Sequence, residues 1–274
     1  MRIQPDAHFF LYIHFMRFSE FLDQGLAEKD HFMVVGNPVG HSLSPLMHNL
    51  ALEYHQINAR YYAIELTLDE LPALIAHLNR PEFMGLNITI PFKTEFIQIV
   101  DELTMDAKEI AAVNTLFKTS GKLLGANTDA DGFLYPLSDW ADELRGERAI
   151  IFGTGGASRA VVYALKKLGM EEILLVSRGG KQHDEKRDVQ TITYDVWMHY
   201  AEEATLIVNS TPLGMFPEEK ASPVREDLTD VLAGKVCYDL IYNPLKSRFL
   251  EQADEAGAEF KVSGLEMFIQ QGDA

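Results

Sequence analysis

Arg148-Ala149-Ile150-Ile151-Phe152-Gly153-Thr154-Gly155-Gly156-Ala157-Ser158-Arg159 decides the fold of the second half of this chain. The apolar run reads as a buried strand, the glycines as a tight turn, and Arg159 to Leu168 as the helix that follows. A strand, a glycine-rich turn and a helix in that order make a dinucleotide cradle. Gly153 permits the turn, and Gly155 lets backbone N–H groups approach a pyrophosphate at the helix N-terminus. Thr154, Gly156 and Ala157 fill out the turn, and Ser158 stands where a third glycine or alanine is usual. The G-x-G-x-x-G/A pattern is therefore met in part, and a purely structural strand-to-helix link is the alternative reading.

The next strand, Glu172 to Val176, ends at Ser177-Arg178. An NAD enzyme places an acid there, on the ribose 2′-hydroxyl. A guanidinium instead pairs with a 2′-phosphate, so Arg178, helped by Lys181, argues for NADP over NAD. The bland alternative is a solvent-facing arginine. Leu206 to Asn209 and Val236 to Leu240 supply two more strands, and the polar segment Gly179 to Asp188 is expected to be a mobile surface loop. Cys237 lies within one of these strands. As the single cysteine it excludes an internal disulfide, and it reads as an inert core thiol rather than a nucleophile.

Upstream, apolar runs again alternate with amphipathic stretches. Strands are expected at Phe32 to Gly36, Tyr61 to Leu66 and Gly85 to Ile90, with helices at Pro45 to Ile57, Leu68 to Leu78 and Thr94 to Leu103. This alternation points to a parallel α/β sheet rather than a sandwich or bundle. The first sheet pattern ends near Thr128–Asp129, which places a domain boundary there. No internal repeat or low-complexity tract interrupts the chain.

Composition narrows the function. The 274 residues suffice for two cores, and 47% hydrophobic with 24% charged residues suit a soluble enzyme. Twenty-four basic against 41 acidic residues leave a net charge of −17, without the basic stripe that a nucleic-acid partner requires. No apolar run reaches the roughly 18 residues of a membrane span. Phe9 to Ile13 is bracketed by His8 and His14, and no Ala-x-Ala-like cleavage site follows it, so a cytoplasmic location is expected.

Three polar turns suggest a small polyhydroxylated substrate. In Ser42-Leu43-Ser44-Pro45, Pro45 fits the first helical position and Ser44 the N-cap, which makes a carboxylate site at a helix N-terminus. Simple capping is an equal reading for Ser44, whereas Ser42 has no evident structural task. Lys93 follows Pro91 in what reads as the first turn of a helix, where the dipole disfavours a cation, so a general acid–base role outweighs an exposed lysine. Asn87 and Thr89 precede it on one face of a strand. Asn114 and the run Asn127-Thr128-Asp129 add amides and a carboxylate able to tune Lys93, with Asp131 reading instead as a helix-start cap. His41 reads as a turn residue. The nine histidines show no metal-binding spacing, so no metal is expected.

Taken together, these segments resemble the shikimate dehydrogenase family. The resemblance is carried by Gly36 to Pro45, Asn87 to Lys93, Ala112 to Leu116, Asn127 to Asp129, Gly153 to Ala160, Asn209 to Met215, Tyr238 to Leu245 and Gly264 to Met267, covering roughly residues 32 to 272. It implies an N-terminal open α/β substrate-binding domain, a C-terminal Rossmann-type NADP-binding domain and a cleft between them. It also implies reduction of 3-dehydroshikimate to shikimate with NADPH, in aromatic amino-acid biosynthesis. The matching positions make Lys93 and Asp129 the catalytic pair, Ser42, Ser44 and Tyr242 the carboxylate ligands, and Asn87, Thr89, Asn114 and Gln271 the residues lining the ring-hydroxyl pocket. On the cofactor side stand Gly153 to Ser158, Ser177, Arg178, Lys181, Thr211, Pro212, Met215, Gly264 and Met267. Glu266 replaces the family's usual glycine.

The expected domains are an N-terminal extension over 1–31, a substrate domain over 32–128, an NADP domain over 129–263 and a truncated return segment over 264–274. Phe18 to Leu26 suits an amphipathic helix after a frayed leader. Family members continue through a closing helix, so an end at Ala274 is expected to expose apolar surface and loosen Gln271. The partner is a small molecule, with neither nucleic acid nor membrane, and a homodimer is left open. The rival readings are a quinate or aminoshikimate dehydrogenase, or a catalytically weak NADP- or metabolite-binding regulator.

Overall fold

The computed structural model describes residues 15–179, 182–184 and 188–273, which divide between Asn127 and Thr128 into two units. The first unit holds a seven-stranded sheet in the order β1-β3-β2-β4-β6-β7-β5. Its strands are β1 (Phe15–Arg17), β2 (His31–Gly36), β3 (Arg60–Glu65), β4 (Phe83–Ile88), β5 (Glu102–Leu103), β6 (Thr115–Thr119) and β7 (Lys122–Ala126). β1 to β4 pair in parallel, joined by the helices Ser44–Tyr54 and Leu71–His77, as the alternating pattern predicts.

Two departures from the expected parallel sheet have local causes. Ser120 and Gly121 both adopt positive φ (51° and 77°), a two-residue turn that can only join antiparallel neighbours, so β6 and β7 form a hairpin on β4. The helix expected over Thr94 to Leu103 is instead a short 3₁₀ helix, Phe92–Gln98. The chain beyond it leaves helical geometry because β5 pairs with Leu124 and Gly125 at the sheet edge, satisfying backbone groups there.

The segment ahead of β2 belongs to the same core. Phe18 and Phe21, three apart on the helix Phe18–Asp23, are both buried, each contributing roughly 2–3 kcal/mol of apolar burial. They pack edge-on against His77, and Phe21 also against His31. The His31 and His77 rings are themselves buried and bonded to each other, Nε2 to Nε2 at 2.8 Å. Phe15 of β1 lies against Gly40, where an added Cβ would come 2.6 Å from the Phe15 ring. The first dozen residues lie outside those described.

The second unit carries β8 (Arg148–Phe152), β9 (Glu172–Val176), β10 (Gln182–Asp184), β11 (Val189–Ile192), β12 (Ala204–Asn209), β13 (Val236–Asp239) and β14 (Phe260–Val262). They run in the order β10-β11-β9-β8-β12-β13-β14, all parallel except β10. Numbered from β8, the six parallel strands follow the order 3-2-1-4-5-6 of a Rossmann sheet, with its topological switch between β8 and β12. The backbone of Gln182–Asp184 pairs antiparallel with Val189–Gln190-Thr191, so part of the segment expected as a mobile loop is a hairpin arm. Pairing of its backbone to β11 outweighs its polar composition.

On one face of this sheet Ile150, Phe152, Leu174, Val176, Ile207 and Cys237 share an apolar core with Trp197 and Phe249. Burial pushes the Cys237 thiol up to about 12, as an inert core cysteine requires. The helix Gly264–Asp273 packs on the helix Asp129–Leu134 at Gly132, where a Cβ would lie 2.9 Å from the Met267 carbonyl oxygen and 3.1 Å from the Gln271 nitrogen. Only a residue without a Cβ fits that crossing.

Candidate functional site

The first unit gathers its polar residues at the carboxyl ends of β2 and β4, where the order β3-β2-β4 reverses direction. The turns after the two strands are tied together: Thr89 N–H donates to Val35 C=O (2.9 Å) and Asn37 N–H to Ile90 C=O (2.9 Å). Ser42 and Ser44 are both buried at the start of the helix Ser44–Tyr54. Ser44 is the first helical residue and Pro45 the second, not N-cap and first as expected. The Ser42 hydroxyl accepts from Ser44 N–H at 3.2 Å, so it is Ser42 that satisfies an orphan donor of this helix. Ser42 therefore has a structural task in addition to any ligand.

Asn87 is half-buried on β4. Its Oδ1 accepts from the Tyr61 hydroxyl (2.6 Å), and its Nδ2 donates to the Thr115 hydroxyl (3.2 Å). Asn114 is buried next to it, its carbonyl accepting from Ile88 N–H at 2.7 Å. Lys93 is half-buried, second in the 3₁₀ helix rather than in an α-helical first turn, and its carbonyl accepts from Val113 N–H at 2.8 Å. One β4 end and the stretch Val113–Asn114 thus place Asn87, Thr89, Lys93 and Asn114 together. Asn127, buried, donates to Ala112 C=O (3.0 Å) and anchors the same stretch from behind. His41 sits in the turn, its imidazole held below the usual histidine range by burial.

In the second unit, Phe152 ends β8 and Gly153 follows with φ of 109°, in the region that favours glycine. A Cβ there would meet the Ser210 Oγ at 2.7 Å, and that hydroxyl donates to Phe152 C=O at 2.6 Å. Gly155 is extended at the N-cap of the helix Gly156–Leu168, with no side-chain cap and nothing within 4 Å of an added Cβ. Thr154 and Gly155 are exposed. This open, uncapped N-terminus at the sheet's switch point fits a pyrophosphate cradle. Ser158 is buried and spends its hydroxyl on Gly155 C=O (2.7 Å), so the residue that breaks the glycine pattern braces the turn.

Ser177 follows β9, its hydroxyl accepting from Gly179 N–H at 3.1 Å, and Arg178 is exposed beside it. Lys181 lies outside the described residues. Thr211, Pro212 and Met215 form the turn after β12, and Tyr242 stacks on Phe268 with ring centroids 4.6 Å apart. Gly264 N–H donates to Ile241 C=O (3.0 Å), and Met267 is buried. Gln271 donates to Phe268 C=O (3.0 Å), while its own carbonyl accepts from the Thr128 hydroxyl (2.9 Å). Asp129 is buried as the first residue of the helix Asp129–Leu134. Asp131 does not cap that helix: it is exposed, with Lys167 at 3.5 Å.

Two buried residues that sequence reasoning passed over, Asn209 and Asp239, end β12 and β13 and bond to each other at 3.0 Å. Their signal was present: each is a polar side chain closing a largely apolar strand. Among the described residues no group of three or more His, Cys, Asp or Glu can hold a metal ion, and no helix is long and apolar enough to cross a membrane.

A six-stranded parallel sheet of this order, with an open glycine turn at its switch point, accompanied by a unit that sets a lysine among amides and hydroxyls, defines a two-domain dinucleotide-dependent dehydrogenase. Residues 34–116 match the shikimate dehydrogenase substrate binding domain. The chain is 38% identical over 252 residues to a shikimate dehydrogenase (NADP(+)) of Synechocystis, covering 88% of this chain and 87% of that one. Among solved structures it is similar to shikimate dehydrogenase from Aquifex aeolicus, with TM-score 0.77, 34% identity and 90% of each chain covered. It is also similar to shikimate 5-dehydrogenase from Thermus thermophilus in complex with NADP(H) and shikimate, with TM-score 0.75, 35% identity, and 88% and 90% covered. The chain belongs to the shikimate dehydrogenase family.

Proposed function

We propose that this chain catalyses the reversible, NADPH-dependent reduction of 3-dehydroshikimate to shikimate. The observation that carries the reading is the placement of half-buried Lys93 with Asn87, Thr89 and Asn114 at one strand end, beside the buried serines of the neighbouring turn. A lysine, amides and hydroxyls so grouped suit a ring that carries a carbonyl and several hydroxyls, and give that ring's carboxylate the N-terminus of the helix Ser44–Tyr54.

NADPH, held on the second unit, would supply the hydride that the substrate carbonyl carbon takes up. Lys93 donates the proton that the carbonyl oxygen takes up, and recovers one from solvent between turnovers; in the oxidative direction it accepts the hydroxyl proton. Asp129 is its catalytic partner. Ser42, Ser44 and Tyr242 bind the carboxylate, and Asn87, Thr89, Asn114 and Gln271 orient the ring. Gly153 to Ser158 hold the pyrophosphate, Ser177, Arg178 and Lys181 the 2′-phosphate, and Thr211, Pro212, Met215, Gly264 and Met267 the nicotinamide side. A cytoplasmic setting and a homodimer belong to the same proposal. The first is supported by a lone, buried cysteine, the second by exposed Leu50 and Tyr54, one helical turn apart.

The test is absorbance at 340 nm with shikimate or quinate, each paired with NADP or NAD. Turnover with shikimate and NADP supports the reading; turnover with quinate alone, or none with any pair, removes it.

A further inference from the structure

Asp239 closes β13 and is wholly buried. Its Oδ1 accepts from the Asn209 side-chain amide (3.0 Å) and from Ile241 N–H (3.0 Å), while its Oδ2 accepts from the Ser247 hydroxyl. Asn209 extends the chain of bonds into the neighbouring turn. Its Oδ1 accepts from Thr211 N–H (3.0 Å) and the Thr211 hydroxyl (2.6 Å), and its Nδ2 also donates to Leu213 C=O (3.1 Å). The Thr211 hydroxyl in turn accepts from Leu213 N–H (3.2 Å). At the other end, Ser247 caps the helix Arg248–Ala256 by accepting from Leu250 N–H (3.4 Å).

A carboxyl group so deeply buried is costly, and burial pushes it up to about 7. The strand around it, Val236-Cys237-Tyr238, is apolar, and an apolar fourth residue would carry no such cost. What Asp239 does instead is serve three donors at once, one at the end of β12 and two within the 240–247 loop. Oδ1 accepts from Asn209 and Ile241 whether or not Oδ2 carries a proton, so the arrangement holds on both sides of its titration.

We propose that Asp239 is a positioning residue that holds the Thr211–Met215 turn and the 240–247 loop carrying Tyr242 in one register. The side chains assigned to the nicotinamide and to the substrate carboxylate are then aligned by a single carboxyl that touches neither. This rests on the assignments of Tyr242 and Met215 made above.

The test combines steady-state kinetics with hydrogen exchange on the full chain. Asp239→Ala removes the clamp, whereas Asp239→Asn keeps Oδ1 and can donate from Nδ2 to Ser247. In Asp239→Ala, exchange should rise in both 209–215 and 240–247 while β8 and β9 stay protected. The KM values for shikimate and NADP should each rise about 10- to 100-fold, the cost of a misplaced binding group. Asp239→Asn should restore most of both constants and both protections. Exchange raised in only one segment, or both KM values unmoved in folded Asp239→Ala, overturns the proposal. If Asp239→Ala does not fold, Ser247→Ala decides: it should loosen 240–247 and raise KM for shikimate alone, and no change in either overturns it. Tyr242→Phe separates the two claims. Coupled loosening in Asp239→Ala with a shikimate KM unmoved by Tyr242→Phe supports the clamp and removes Tyr242 from the substrate site.

Discussion

The Nε2 atoms of His31 and His77 face each other at 2.8 Å inside an aromatic cage, and only one proton fits between them. His31 Nδ1 lies 2.7 Å from the Lys29 carbonyl, which can only accept, so that nitrogen carries the hydrogen and Nε2 of the neutral ring accepts from His77. Burial first, then coupling to His31 and the Arg80 charge, lower the His77 imidazole from 6.5 to about 4; burial also lowers His31. A depressed folded value means stability that is present above about 6.5 and lost as pH falls toward about 4. Imidazole NMR should show His77 neutral at pH 6, with the urea midpoint of the protein falling below that pH. A His77 titration at or above 6.5 defeats this.

The proposed reaction assigns proton transfer to Lys93. Lys93→Ala should lower turnover by ~10²–10⁴, the range for a lost general acid–base group. Lys93→Arg should not restore it, because a guanidinium keeps its proton near neutral pH. NADP affinity, read by calorimetry, should survive both changes. Near-normal turnover in folded Lys93→Ala would move the chemistry elsewhere.

Ser42→Ala should raise the KM for shikimate by roughly tenfold while leaving NADP affinity intact. It should also cost about 1 kcal/mol of stability, since the Ser44 N–H loses its acceptor. Loss of stability without a change in KM would leave Ser42 a turn residue only.

Arg178 stands exposed after β9, where an acid would favour NAD. The unmodified protein should bind NADP more tightly than NAD, and Arg178→Asp should erode or reverse that order. Equal dissociation constants for the two cofactors before any substitution count against the assignment.

Asp239 makes its own pH signature. Its value is raised to about 7, chiefly by burial, so ionising it opposes folding. Relative to Asp239→Asn, which does not titrate, the unmodified protein should lose about 1.4 kcal/mol per pH unit between roughly 4 and 7 and then level off. A stability difference independent of pH over that range would show a carboxyl with an ordinary value.

Much of this was legible in the residues, for identifiable reasons. The Rossmann half announced itself because Ile150, Ile151 and Phe152 run straight into Gly153, and local sequence alone dictates a strand, a turn and a helix there. The hairpin of β6 and β7 escaped because its turn, Ser120-Gly121, depends on a positive φ at a serine, which composition does not advertise. Ser42 and Ser44 were found as a pair, but which of them satisfies the helix N-terminus is a matter of one residue of register. Asp239 was given no role because its side-chain partners lie 30 and 8 residues away in sequence, Asn209 brought to it by the sheet order and Ser247 by the loop after β13.

Gly132 has a consequence for how this enzyme can vary. Because backbone atoms of Met267 and Gln271 stand where its side chain would be, any replacement must part the helices Asp129–Leu134 and Gly264–Asp273 and shift the Gln271 backbone relative to Gly132. A saturation library at this position, selected for growth without aromatic supplements, should return glycine almost exclusively. Under the proposed assignment of Gln271 to the substrate ring, a laboratory lineage adapting to a bulkier ring would alter Gln271 itself rather than shift the helix that carries it.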